Sequence, residues 1–263
     1  MCQASKASGA GSANWQQRQD DYARTREEGV QRFWSRLQGR PDFFGKQVLD
    51  IGCGHGELAF DAARCGARRV VGVDIDPRPI FHANQVLQER HSELKDVLSF
   101  INADLRQLDP AWRFDCIISR DAFEHVLDLP ELFTHLVGRL NPGGRLYIGF
   151  GPLYRSPYGG HRRMHMAVPW GHLVLPESWL VAWVNRYRAP EDRVSSIREM
   201  GLNQLRLTDY HDILVRHSGL KLVFWKVNHG QNAKSRLFGL LHHLPLVGEL
   251  FAHDLYTILE KPK

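Results

Sequence analysis

Three groups of residues have types and spacings suited to chemistry. The first is Asp50-Ile-Gly52-Cys53-Gly54-His-Gly56, where an apolar run enters three glycines spaced one residue apart. Such glycines let a backbone turn tightly and a ligand approach it closely, and a following helix offers free N–H donors to a carboxylate or other anion. Asp74 stands 22 positions after Gly52, at the end of the next apolar run. A carboxylate there can accept hydrogen bonds from ribose hydroxyls. The second group is Asp121-Ala-Phe-Glu124-His125. Positions i, i+3 and i+4 share one helix face, so two carboxylates and an imidazole can converge on Mg²⁺, Mn²⁺ or Zn²⁺, or can cap and pack a helix. The third is the segment from Gly151 to His172, which mixes phenols, imidazoles and guanidiniums with glycines. His161 is its first candidate for a general base, since an imidazole's ordinary pKa of about 6.5 suits proton abstraction near neutral pH. His165 and Tyr158 come next, and His161 can instead serve as an additional metal ligand.

The elements that must position these groups follow from hydrophobic periodicity. Tyr22, Val30, Phe33, Trp34 and Leu37 share one face of a helical pattern between Trp15 and Leu37. Strands are expected at 47–51, 69–75, 97–102, 114–119 and 145–150, alternating with helices at 57–65, 78–90 and 129–140, with a turn at Asn141-Pro-Gly-Gly144. Continuous apolar strands alternating with helices mean a parallel sheet covered on both faces. After Phe150 the rhythm breaks into a Gly-, Pro-, His- and aromatic-rich stretch, expected to be an inserted lid. A helix at 208–218, strands at 221–227 and 254–260, and an apolar helical segment from Ala233 to Phe251 complete the chain. Residues 1–13 have the composition of a disordered tail, 14–150 form the core, 151–205 the lid, and 206–263 the rest of the core.

The Asp-Ile-Gly-Cys-Gly string resembles motif I of class I S-adenosylmethionine (SAM) methyltransferases, with GxGxG spacing rather than the GxGxxG of dinucleotide binders. Four further segments resemble that family in order: Gly72-Val-Asp74-Ile75-Asp76-Pro77, Asn102-Ala-Asp104-Leu105, Phe114 to Ser119, and Leu140 to Leu146. The resemblance covers about residues 46–150. It implies an α/β, Rossmann-like, seven-stranded and mostly parallel sheet with helices on both faces, closed by an antiparallel hairpin, with the lid inserted after the fifth strand. It implies SAM as cofactor. Gly52, Cys53, Gly54 and Gly56 would form the cradle, Asp50 would fix the methionine end, Asp74 and Ile75 would meet the ribose side, Asp104 and Leu105 the adenine, and Ser119 the end of the fourth strand. Cys53 is read as a small filler rather than a nucleophile. The Asp121-x-x-Glu124-His125 segment resembles that of ubiquinone-biosynthesis O-methyltransferases, where acidic residues and His hold a divalent metal. A Mg²⁺ or Zn²⁺ ion on Asp121, Glu124 and His125 is therefore implied.

Composition narrows the function. The chain has 263 residues, 43% apolar and 24% charged, which is ordinary globular usage. No apolar run approaches the ~20 residues of a bilayer span. No secretory leader is visible, and the four cysteines form no CxxC, so a reduced, cytoplasmic protein is expected. The 34 basic and 29 acidic residues give +5. From Leu132 to Pro176 there is no Asp or Glu, while Arg139, Arg145, Arg155, Arg162 and Arg163 fall there. This suggests a small-molecule acceptor with an anionic or phenolic group and makes nucleic acid unlikely as a partner. Trp170, Trp179, Trp183, Tyr187, Trp225, Phe238 and Phe251 are candidates for an apolar substrate chamber or for packing inside the cap. The expected activity is O-methylation of a small molecule. N- or C-methylation, an RNA or protein acceptor, and a non-catalytic SAM-fold binding protein remain as alternatives.

Overall fold

The computed structural model describes residues 27–230 and 233–263. Within the described residues, helix α1 covers 27–36 and buries Val30, Phe33, Trp34 and Leu37 of the stripe expected from sequence, while the expected start at Trp15 and Tyr22 lies outside the described residues. The Trp34 indole N–H donates to Asp61 Oδ2 at 2.8 Å, which ties this helix to the next. The proposed 1–13 tail and Cys2 lie outside the described residues.

The core then alternates β1 (Gln47–Ile51), α2 (Glu57–Arg64), β2 (Arg69–Asp74), α3 (Pro77–Arg90), β3 (Leu98–Asn102), β4 (Phe114–Arg120), α4 (Leu129–Arg139) and β5 (Leu140–Phe150). The sheet order is β3-β2-β1-β4-β5-β7-β6, with β6 (Lys221–Val227) and β7 (Leu255–Glu260). Strand β7 runs antiparallel to both neighbours and every other pairing is parallel. Val48, Leu49, Val70, Val71, Ile117 and Ile118 have no exposed surface. Burial on both faces explains their unbroken apolar runs. Strand order reverses between β1 and β4, which opens a crevice at their carboxyl ends, where such sheets bind ligands.

Two expectations needed correction. Asn141–Gly144 is not a turn before the strand but part of β5, which starts at Leu140. The register slips between Phe114 and Cys116, and Gly143 passes the irregularity at φ +76° while its N–H donates to the Lys261 carbonyl. Pairing with the chain end thus extends what looks like a turn tetrapeptide. The helix expected at 208–218 is α7 (Leu207–His211) continued by a π-helical turn, Asp212–Arg216.

The cap has two parts. Residues 151–206 carry α5 (Gly171–Val174), α6 (Glu177–Val184) and several single 3₁₀ turns around a small core of their own, built from Met164, Leu180, Val184, Ile197, Met200 and Leu202. Helix α8 (Ala233–Leu241) and the turns after it, between β6 and β7, form the second part. The Leu153 N–H donates to the His253 carbonyl at 2.8 Å, joining the two at the carboxyl end of β5.

Arg139 shows why acid-free stretches of sequence need not be basic surfaces. It is 4% exposed, and its guanidinium donates to the carbonyls of Leu105, Leu108 and Asp109 at 3.0, 2.9 and 2.6 Å. Arg139→Met should leave those buried carbonyls without donors and cost about 2–4 kcal/mol. A urea unfolding midpoint matching the wild type would refute that role.

Candidate functional site

The loop after β1 is built on Asp74. Its Oδ2 accepts from the Gly54 N–H and its Oδ1 from the Asp76 N–H, both at 2.9 Å. The Gly52 and Cys53 N–H groups donate to the Val73 carbonyl, so the loop lies across the end of β2. A Cβ added at Gly52 would sit 2.5 Å from the Ala122 Cβ, and φ there is +67°. At Gly54, φ is +52° and an added Cβ would meet only open space. Bare backbone therefore faces the crevice at Gly54, while Gly52 brings the loop against the segment following β4. Helix α2 begins at Glu57 behind Gly56, which offers no side-chain cap, so the N–H groups of its first turn other than Ala59 are open to an anion.

Asp50 is 1% exposed. Its carboxylate accepts from the Ala59 N–H in the first turn of α2, and its Oδ2 has no partner. Burial pushes its pKa up to about 7, partly offset by the Arg120 guanidinium. Arg120 in turn pairs with Glu57 at the start of α2. An orphaned buried carboxylate oxygen, bare backbone and an uncapped helix start fit the ammonium and carboxylate of a methionine moiety.

The remaining cofactor expectations divide. Ile75 is 75% exposed just beyond β2, an apolar face offered to solvent beside Asp74. Asp104 caps a 3₁₀ turn, and its carboxylate is held by Arg106 at 2.6 and 2.9 Å. Leu105 is 1% exposed in the main core and does not face the crevice. Ser119 is equally buried, and its hydroxyl donates to the Ile51 carbonyl at 2.9 Å, a strut between β4 and β1. Cys53 packs toward Gly72, and burial pushes its thiol pKa well up, as a filler requires.

Beyond Ala122, a single 3₁₀ turn (Phe123–His125) presents Glu124 and His125, and His161 approaches them from the lid. One ligand atom from each of these three residues lies within 4.8 Å of the others. Asp121 is not among them: its φ is +52°, and its carboxylate lies 3.9 Å from Arg120. The structure therefore groups Glu124 and His125 with His161, the additional ligand candidate named from sequence, and leaves Asp121 outside the group. The i, i+3, i+4 geometry fails because no full helix forms there. His125 Nδ1 donates to the Gly201 carbonyl at 2.9 Å, since a carbonyl can only accept. His161 bonds the Pro152 carbonyl and its Nε2 has no partner. Glu124 is 3% exposed, accepts from the Gly151 N–H and leaves Oε2 unpartnered. Burial lifts Glu124 to about 8 and depresses His161 to about 4, the neighbouring His125 adding to the latter.

Two residues that hold this trio carry no local sequence signal. Asn203 donates to the carbonyls of Phe123 (2.7 Å) and Val126 (3.1 Å), and its own N–H donates to the Glu124 carbonyl. Arg163 donates to the carbonyls of Met200 and Gly201, the latter shared with His125. Only the folded lid brings them near the trio.

Other candidates fall elsewhere. His165 is exposed and stacks on Tyr187 at 4.7 Å. Tyr158 is 41% exposed, and it is its carbonyl that receives the His161 N–H. Trp170 donates its indole N–H to the Leu250 carbonyl and packs on Phe251, as does Phe238, so these three fill the cap's interior. Trp179, Trp183 and Tyr187 lie outside it, and Trp225 meets His211 edge-on. No common chamber gathers all seven. The arginine window is dispersed too: Arg145 pairs with Glu260, Arg155 lies 3.4 Å from Glu249, and Arg163 faces carbonyls. An anionic acceptor loses its main support.

The model of a methyltransferase domain matches residues 21–205. The chain belongs to that family. A 27-O-demethylrifamycin SV methyltransferase of Amycolatopsis mediterranei is 33% identical over 142 residues, covering 53% of this chain and 52% of that protein. A ribosomal protein L11 methyltransferase of Burkholderia ambifaria is 36% identical over 102 residues, covering 39% and 31%. The chain thus spans about half or less of the curated relatives it matches. A crystal structure of a SAM-dependent methyltransferase from Mesorhizobium loti superposes with a TM-score of 0.57 at 19% identity, over 86% of this chain and 96% of that one. The sheet order and loop are those of the class I, SAM-dependent members of the family. The two methyltransferase relatives differ in the acceptor their names state.

Asp74→Ala should weaken SAM by at least about tenfold in titration calorimetry, since it unpairs two loop N–H groups. Unchanged affinity would remove Asp74 from the cradle. Asp50, held above the ordinary carboxylate value of 3.8, contributes stability that is complete below that value and is lost as pH rises through about 7. In Asp50→Asn, unfolding free energy should therefore lose up to about 1.4 kcal/mol less per pH unit across this window. Parallel pH profiles would contradict it.

Proposed function

We propose that the chain transfers the methyl group of SAM to a hydroxyl oxygen of a small-molecule acceptor, with Glu124, His125 and His161 holding a divalent ion beside the transfer site. One observation carries this reading: three buried or half-buried ligand atoms converge, each pinned from behind by a backbone group, two of them on residues two and three positions past the Ala122 that touches Gly52. Histidines that bind metals ordinarily donate their other ring nitrogen to a carbonyl or carboxylate, which fixes the ring's orientation. Two nitrogens and one oxygen favour Zn²⁺ over Mg²⁺, which prefers oxygens. Such an ion lowers the pKa of a bound hydroxyl.

The chain's own residues do the rest. Asp74 and the glycine loop hold the cofactor, and Asp50 faces its methionine end. Ile75 offers an apolar surface to the adenosine. The lid, held by Asn203 and Arg163, keeps the trio over the crevice. The C–O bond forms as the methyl C–S bond breaks in line, leaving S-adenosylhomocysteine, with the hydroxyl proton lost to solvent or a nearby base. A small acceptor and oxygen are supported by the enclosing lid and by the relative named for a 27-O position.

A second reading has His161 act as the base without metal. Its support is that burial keeps this imidazole neutral, with the Nε2 lone pair unpartnered. Chelation separates the two. The metal reading expects EDTA to lower turnover about 10²-fold or more, with Zn²⁺ restoring it and SAM affinity intact. Full activity in chelator, abolished by His161→Ala, would assign His161 as base. Full activity in both would end both readings.

A further inference from the structure

The α8 insertion has an apolar face that no other described residue covers. Phe238 points inward, 9% exposed, against Phe251. On the opposite side Leu237, Leu240 and Leu244, spaced i, i+3 and i+7, are 52, 73 and 46% exposed. The turn that follows places Leu246 fully in solvent with φ +69°, a conformation that leucine rarely adopts, and Val247 beside it is 43% exposed. A strained, wholly exposed aliphatic tip contributes nothing to the folded core. It therefore points to something beyond the described fold.

Charge indicates what that is. Residues 213–248 contain no Asp or Glu; of their cations Arg216 pairs with Asp212 and Lys221 lies opposite Glu260 at the far end of β6, which leaves Lys226 near the cap end of β6 and Lys234 and Arg236 on α8. Arg236 is exposed on the α8 turn that carries Leu237 and Leu240, and Lys226 lies close enough to His242 to depress its pKa. Glu249, which ends the acid-free stretch, is turned inward to Arg155 and the Leu207 N–H. The first lid segment adjoins through the Trp170–Leu250 hydrogen bond and adds exposed Val174 and Leu175 from another acid-free run. A second copy of this chain would set these cations against one another in a two-fold interface. Protein partners favour aromatic anchors, whereas this tip is aliphatic.

We propose that the α8 insertion docks on an anionic phospholipid bilayer, with Leu240 and Leu246 entering the interface and the neighbouring Lys and Arg residues meeting lipid phosphates. Because β7 pairs at Leu255 with Phe150 at the carboxyl end of β5, the docked face lies on the cap side of the sheet. The crevice would then sit near the membrane surface, where an apolar acceptor partitions.

Flotation of the full chain with phosphatidylcholine vesicles, with and without phosphatidylglycerol, tests this. Binding is expected only with phosphatidylglycerol, and it should weaken as salt rises. The doubly substituted Leu240→Ser, Leu246→Ser protein should bind at least about tenfold more weakly, with SAM affinity unchanged. Both sites are exposed, so its fold should persist. Absence of flotation, or equal flotation of the double variant, would overturn the proposal. A dimer in light scattering that the double variant abolishes would assign the face to a second copy instead. Each of these outcomes is independent of whether methyl transfer occurs.

Discussion

The site depends on the close contact between Gly52 and Ala122. Strands β1 and β4 pair in parallel, with Asp50 opposite Ile118, and the Ser119 hydroxyl bonds the Ile51 carbonyl where they end. Beyond that seam, the loop that offers bare backbone and the segment that leads to Glu124 and His125 have room for no side chain larger than hydrogen between them. The glycine loop and the Glu124-His125 turn are thereby held in a fixed relation by the sheet rather than by either loop alone. Site precision then comes from rigid strands, as preorganised chemistry requires.

Around this seam the structure balances buried charge with few partners. Asp50 and Glu124 are both almost completely buried carboxyls with one oxygen engaged and one free. Desolvation holds both well above the ordinary carboxylate range. A buried polar atom left unpaired costs about 1–3 kcal/mol, so two in one crevice are a standing expense to the empty fold. A cationic ligand group at each relieves it. The ammonium of a methionine moiety near Asp50 and a cation near Glu124 are the two species that do so in the proposed reaction.

The sheet was legible from sequence because its strands are buried on both faces and so read as unbroken apolar runs. The spans of β1 and β6 matched their expected limits. Gly52, Gly54 and Asp74 were legible because tight turns and strand ends leave local signatures. All three residues of the trio were named from sequence, Glu124 and His125 as adjacent ligands and His161, 36 positions on, as a base or additional ligand, but their grouping was not legible; Asp121 stands apart because a single 3₁₀ turn replaces the assumed helix. Asn203 and Arg163 act through main-chain carbonyls, which have no residue identity to read. The arginine window misled for a related reason. Arg139 is as basic in sequence as a surface arginine, yet it lies inside the core bonded to three carbonyls.

Diffraction from crystals grown with S-adenosylhomocysteine and zinc tests the central claim most directly. The account predicts the homocysteine moiety against Gly54 and Asp50, and a single strong anomalous peak coordinated by Glu124, His125 and His161. Cofactor bound in the loop with no peak at the trio, or with zinc on Asp121 in place of His161, would contradict it.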